Sequence, residues 1–284
     1  MRDATHSERP RLPTSLGYDG LETSIMIGVT LLSIDTATEC LALAVSTPQG
    51  VWTLNSAGGA QASAQLLPKA ASLLQQAGIG WTNLDAVAFG QGPGAFTGLR
   101  TSCAVAQGLA MALDRPVLAI DSLLIVAEDA WAQMVLDAID PLDSLDLVVA
   151  MDARMDEAYG ARYSRGPAGW RTVSPPALYT LAGLAVWSAA AVDAEGRPQC
   201  LTGSAGPAFG SRWSTPATWQ HLPKELDRAA ALARLAVSAW QSGAAQPADE
   251  ALPLYLRDRV ALTTDEREAA RCRLLANNAE LRSQ

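Results

Sequence analysis

The sequence predicts a duplicated α/β fold of two domains, the second one reduced. Three observations carry this. Apolar runs ending in Asp, Leu31–Asp35 and Leu147–Asp152, each open a run of three strand-type segments. Helix-type and strand-type segments then alternate after each opening, which is the mark of a mixed α/β domain. At 284 residues the chain is also long enough to bury two cores.

The elements follow in order. Residues 1–24 are polar, contain Pro10 and Pro13 and lack periodicity; they read as a disordered extension, with Met26 a plausible true start. Val29–Asp35, Leu41–Thr47 and Val51–Asn55 read as strands, with Pro48-Gln49-Gly50 turning between the last two. Gln61–Ala77 is a helix with Leu66, Leu67, Ala70, Ala71, Leu73, Leu74 and Ala77 on one broad side, and Gly78 ends it. Leu84–Phe89 is a strand, Thr97–Leu113 a helix with Thr97 as its N-cap, and Val117–Ile120 a strand. In the second half Glu157–Ser164 echoes Glu39–Ser46, and Trp170–Val173 completes the meander. A helix near Tyr179–Ala190, a strand near Gln199–Thr202, a Gly-rich turn at Gly203–Gly210 and a helix at Asp227–Trp240 follow. Gly243–Asp249 reads as a loop, Pro253–Arg259 as extended and Thr264–Arg282 as a charged terminal helix. Two βββαβα units around a cleft form the architecture of the actin, sugar-kinase and heat-shock-ATPase superfamily. The predicted division is residues 1–24 as extension, 25–122 and 123–259 as domains, and 260–284 as tail.

The most distinctive stretch is Phe89–Arg100, where Gly90, Gly92, Gly94 and Gly98 separate a strand from a helix. Glycines there let an anion or another backbone come close, so the turn serves either phosphate binding or tight packing. Its spacing fits neither Gly-x-x-x-x-Gly-Lys-Ser/Thr nor Gly-x-Gly-x-x-Gly. Asp35 and Asp152 end equivalent strands at the cleft, where carboxylates would face a nucleotide's magnesium; the competing reading is that each accepts hydrogen bonds from its own turn. Asp152, Arg154, Asp156 and Glu157 are either active-site carboxylates or an ion-paired turn.

Other chemistries lack their residues. His6 and His221 are the chain's histidines, so no His-x-x-x-His metal pair and no Ser–His–Asp or Cys–His constellation can be assembled. Cys40, Cys103, Cys200 and Cys272 contain no Cys-x-x-Cys and read as reduced thiols of a cytoplasmic protein. The apolar run Ile25–Leu32 is too short for a bilayer and is followed by no signal-peptide cleavage site. A formal charge of −8 argues against this chain alone holding an RNA backbone.

Gly-Gln-Gly-Pro-Gly-Ala-Phe-Thr-Gly-Leu-Arg-Thr, with Leu32–Glu39 before it and Met151–Glu157 and Pro253–Arg257 after it, resembles the bacterial TsaB (YeaZ) family over about residues 29–260. The resemblance implies a non-catalytic subunit of the machinery that forms N6-threonylcarbamoyladenosine at position 37 of tRNAs reading codons that begin with A. Partners so implied are TsaD, the catalytic paralogue with paired helical histidines on a metal, and the ATPase TsaE; tRNA would be held only through the complex. The family often has His where this chain has Ala62, and the superfamily's phosphate loops usually have Gly where it has Ala37. Nucleotide-contacting candidates are therefore limited to Asp35, Thr36 and Asp152, with no intrinsic cofactor or metal and ATP or ADP only at a joint site. The rival functions are an active kinase or ATPase of the same fold and a glycoprotease-like peptidase.

The helix after the glycine turn has Gln107 as its one strongly polar residue between Thr101 and Leu113, so it is either buried all round or meets another chain. The resemblance implies pairing with TsaD, or a homodimer in its absence, through the first two helices. The residues assigned to that surface are Leu67, Ala71, Leu74, Gly98, Ala104, Val105, Gly108, Leu109 and Ala112.

Overall fold

A computed structural model describes residues 28–59, 62–137, 145–190 and 199–257. The first sheet contains β1 (Leu31–Asp35), β2 (Cys40–Thr47), β3 (Gly50–Ala57), β4 (Ala86–Gly92) and β5 (Val117–Asp121) in the order β3-β2-β1-β4-β5. The second contains β6 (Leu145–Asp152), β7 (Glu157–Gly166), β8 (Gly169–Thr180), β9 (Gln199–Thr202) and β10 (Gln220–Leu222), and reads β10-β9-β6-β7-β8. Reversed end to end, the second order is the first. β1 pairs antiparallel with β2 and parallel with β4, as β6 does with β7 and β9. The predicted duplication is therefore present in the strand topology.

Helices cover both faces of each sheet, which is why β1 and β4 are apolar without alternation. α1 (Ala62–Gln76) and α2 (Phe96–Leu113) close one face of the first sheet, with Leu66, Ala70, Leu73, Leu74, Cys103, Ala106 and Ala110 against Leu32, Ile34, Leu43 and Phe89. Its other face meets α3 (Ser122–Asp137) and α6 (Arg228–Gln241) through Ile125, Leu232 and Leu235. α3 also packs on the second sheet through Leu123, Val126 and Ala130. α4 (Leu181–Ala189) and α5 (Ala205–Phe209) cover the far side through Leu184 and Phe209.

α3, a segment with no element in the sequence reading, joins the two halves. Asp121 at the end of β5 caps it by accepting from Leu123 N and Leu124 N, at 2.9 and 3.4 Å, and accepts from Tyr163 Oη of β7 at 2.5 Å. Burial raises the Asp121 pKa, against the opposing effect of these donors.

Several local expectations change. α2 begins at Phe96 with Ala95 as its N-cap, because Ala95 N is bound to Ala37 O at 2.8 Å; Thr97 lies inside the helix. β8 runs to Thr180, its Pro175 and Pro176 tolerated on an edge strand, and Thr180 caps α4 by accepting from Gly183 N. A short helix, α5, occupies the Gly203–Gly210 turn. The predicted extension 1–24, the tail 260–284, Cys272 and His6 lie outside the described residues.

Cys200 is buried in the second core, and burial pushes its thiol up to about 12. An alkylating reagent at pH 8 is therefore expected to spare Cys200 in the native protein and to label it in denaturant, a difference peptide mass spectrometry reads directly.

Candidate functional site

The duplication brings the ends of β1 and β6 to one cleft, a cavity of about 750 Å³ between the halves. Its walls include Pro93–Phe96, Met151–Arg154, Ser122, Tyr159, Arg228 and Leu254–Arg257. Of the three candidate nucleotide contacts, Asp35 and Thr36 are buried and Asp152 is part-buried at the wall.

Asp35 is fully engaged by its own chain. One oxygen accepts from Ala37 N at 2.5 Å; the other accepts from Arg228 Nη2 at 3.0 Å and from Ser122 Oγ at 3.4 Å. Arg228, 2% exposed at its side chain, also donates to Glu225 at 2.6 Å and to Ser122 O at 3.4 Å. Burial works against the guanidinium's charge, but Asp35 and Glu225 outweigh it and hold its pKa above the usual arginine value. An internal cation thus holds the carboxylate at the end of β1. Thr36 is likewise spent: its Oγ1 donates to Gly98 O at 2.7 Å and shares a hydrogen bond with Ser102.

The glycine turn packs against this strand end. A Cβ on Gly90 would lie 2.1 Å from Asp35 Oδ2, and one on Gly98 would lie 1.8 Å from Thr36 O. Tight packing, the alternative to a phosphate cradle, accounts for both positions. Gly98 is therefore held by its own chain and does not belong to an open helix face, which corrects its assignment to the partner surface. Gly98→Ala is expected to destabilise at or above the ~1–3 kcal/mol typical of an overpacked core, measured by urea unfolding.

Asp152 accepts from Arg154 N at 2.9 Å, as Asp35 does from Ala37 N, and its own N–H donates to Ser204 Oγ at 3.0 Å. Arg154, Met155 and Asp156 are all left-handed, with φ of 64°, 59° and 56°. Such a run costs about 1–2 kcal/mol per residue and needs external support. Arg212 pairs with Asp156 at 2.7 Å, and Arg257 pairs with Glu157 and donates to Ala153 O at 2.9 Å. The ion-paired reading fits, except that Arg154 turns across to Glu39 at 3.5 Å and leaves its neighbours to arginines elsewhere.

Arg257 ends a segment that straps the halves together. Leu254 N donates to Gln91 O at 2.6 Å, and the Tyr255 ring lies 5.2 Å from that of Phe96 at the start of α2. The strap falls within the run read as extended, Pro253–Arg259, but its contacts with Gln91 and Phe96 and the role of Arg228 were not foreseen. One signal existed for Arg228: a cation in the first turn of a helix opposes the helix dipole, so something else must hold it there.

On α1 and α2 the predicted surface divides. Leu67, Ala71, Ala104, Gly108 and Ala112 are exposed, together with Met111 at 62% and Arg100. Leu74 is 2% exposed within the core, and Val105 and Leu109 are half-buried against it. Leu74 leaves the surface set because α1 turns its Leu66–Ala70–Leu73–Leu74 side to the sheet. Among the described residues no group of three His, Cys, Asp or Glu side chains could hold a metal ion, and no helix is long and apolar enough to cross a membrane.

A family model described as TsaD, tRNA N6-adenosine threonylcarbamoyltransferase, matches residues 56–197. The tRNA threonylcarbamoyladenosine biosynthesis protein TsaB of Escherichia coli (strain K12) is 27% identical over 246 residues, 81% of this chain and 96% of that protein. TsaB of Haemophilus influenzae is 34% identical over 140 residues, 49% of this chain and 56% of that protein. Among solved structures, YeaZ from Pseudomonas aeruginosa is 34% identical with a TM-score of 0.69, covering 80% of this chain and 100% of that one. A structure described as an uncharacterized protein with similarity to peptidase YEAZ from Pseudomonas aeruginosa is 33% identical with a TM-score of 0.71, covering 81% and 100%. With a third of its residues shared along the entire length of YeaZ, and with the duplicated sheets described above, the chain belongs to the TsaB (YeaZ) family of tRNA threonylcarbamoyladenosine biosynthesis proteins.

Proposed function

We propose that the chain is a non-catalytic subunit that supports threonylcarbamoyl transfer to tRNA by pairing with a TsaD-family subunit, with a TsaE-family ATPase acting on the pair. The observation that carries the non-catalytic half is the Arg228–Asp35 pair: the carboxylate best placed to meet a nucleotide's metal is already neutralised by the chain's own buried guanidinium. Reconstitution with unmodified tRNA, ATP, threonine, bicarbonate and the two partners tests it. Modification is expected to fall to background when this chain is omitted, and the isolated chain is expected to turn over no ATP. Equal modification in its absence would overturn the proposal, and ATP turnover by the chain alone would favour the kinase-like rival.

The pairing half assigns the contact to the exposed side of α1 and α2. Ala104, Gly108 and Ala112 present no bulk, so a facing helix can come close, while Leu67, Ala71 and Met111 supply apolar area. A second copy of the chain would compete for the same surface, and differential affinity decides which pair forms. A Cβ on Gly108 meets nothing within 4 Å of the isolated chain. Gly108→Ala is therefore expected to stabilise the chain by about 0.5–1 kcal/mol through helix propensity while weakening its pairing. Thermal unfolding and titration calorimetry read the two effects separately.

A further inference from the structure

In a chain of formal charge −8, α1 and α2 carry Lys69 and Arg100 and no carboxylate at all. Lys69 is occupied, donating to Ser56 Oγ of β3 at 2.7 Å. Arg100 is exposed, and it stands one turn before Ala104 on the row Arg100–Ala104–Gly108–Ala112. Its guanidinium carbon lies 3.8 Å from the Phe96 ring centroid and its Nε donates to Tyr255 Oη at 3.0 Å. That leaves both Nη groups, four N–H donors in a fixed fork, without a partner among the described residues.

A long side chain ordinarily loses rotamer freedom when a partner takes it up; here the stack and the Nε bond have already removed that freedom. Arginine and tyrosine held in this way at the end of an apolar helix row are the residue types that dominate interface energetics. We propose that Arg100, clamped by Phe96 and Tyr255, is the specificity residue of the α1–α2 surface and takes a carboxylate from a heterologous partner subunit. The proposal rests on the pairing role given above. The facing helices of a second copy bring no carboxylate to Arg100, since neither helix has one, so the clamp favours a different subunit over self-pairing. Acids do flank the helices: Asp114 caps the end of α2, and Asp249 and Glu250 lie in the turn packed against it.

The test compares Kd for the TsaD-family subunit with the self-association constant from sedimentation, for wild type, Arg100→Ala, Arg100→Glu, Tyr255→Phe and Ala104→Glu. Arg100→Ala is expected to weaken the mixed pair at least tenfold with self-association changed less than twofold, and Arg100→Glu to weaken the mixed pair at least a hundredfold. Tyr255→Phe, which keeps the ring and removes the hydroxyl, is expected to weaken the mixed pair two- to fivefold with no residue of α2 changed. The mixed pair should lose affinity with added salt in wild type and lose less in Arg100→Ala. A self-association constant that falls in step with the mixed one would overturn the proposal by giving Arg100 to one of these acids on a second copy. Wild-type mixed affinity in Arg100→Glu would overturn it as well. If Ala104→Glu also leaves the mixed pair intact, the pairing surface itself is wrong; if Ala104→Glu alone breaks the pair, the surface stands and the role of Arg100 fails.

Discussion

Ala104→Glu is expected to leave the chain folded and to abolish both its pairings. Ala104 is exposed on α2, and glutamate is a good helix former, so the isolated chain should change by no more than about 0.5 kcal/mol. In a helix-to-helix contact the same carboxylate would be desolvated and would compete with the partner's acid for Arg100, the cation one turn before it, so that one of the two carboxylates is left unpaired. Stranding a charge in that way costs about 3–5 kcal/mol, a factor of more than 100 in Kd. Size-exclusion chromatography with and without the TsaD-family subunit reads the result, and an unchanged circular dichroism melt certifies the fold. Val105→Glu, one residue on, should behave differently. Val105 is half-buried against the chain's own core, so a charge there is expected to lower stability before it reports on any partner.

The second large effect is expected at the cleft floor. Arg228→Met leaves Asp35, fully buried, facing Ser122 and one backbone N–H with its charge uncompensated, while Glu225 can turn to solvent. The expected loss is about 3–5 kcal/mol, on the order of 10 °C in Tm for a chain of this size. Asp35→Asn combined with Arg228→Met should recover much of it, since Asn keeps the oxygen that accepts from Ala37 N and removes the stranded charge. A single Arg228→Met chain as stable as wild type would mean that the pair does not hold the strand end in place.

Much of this architecture was legible because its signals are local. Apolar runs ending in Asp, glycines between strand and helix, and helices broad with Leu and Ala follow from period and turn chemistry, and they gave the duplicated meander and the order of the elements. What escaped depends on distant segments. Arg228 reaches Asp35 across 193 positions, and Tyr255 reaches Arg100 across 155; neither leaves a periodic trace. Leu67 and Leu74 look alike on a helical wheel, and the sheet's position beneath α1 is what sends one outward and the other into the core. Gly98 and Gly108 sit on one helix in similar company, yet one is pressed against Thr36 and the other is open.

On the function proposed above, the chain acts through the outer surface of α1 and α2 rather than through chemistry in its cleft. The most direct measurement is the initial rate of tRNA threonylcarbamoylation in the reconstituted system with Ala104→Glu set beside Asp152→Asn. The second variant removes one part-buried carboxylate charge of the cleft while keeping an oxygen for Arg154 N. Background rates are expected for Ala104→Glu and, for Asp152→Asn, a rate within about twofold of wild type, since the substitution leaves the pairing surface untouched. A fully active Ala104→Glu chain beside an inactive, folded Asp152→Asn chain would contradict it.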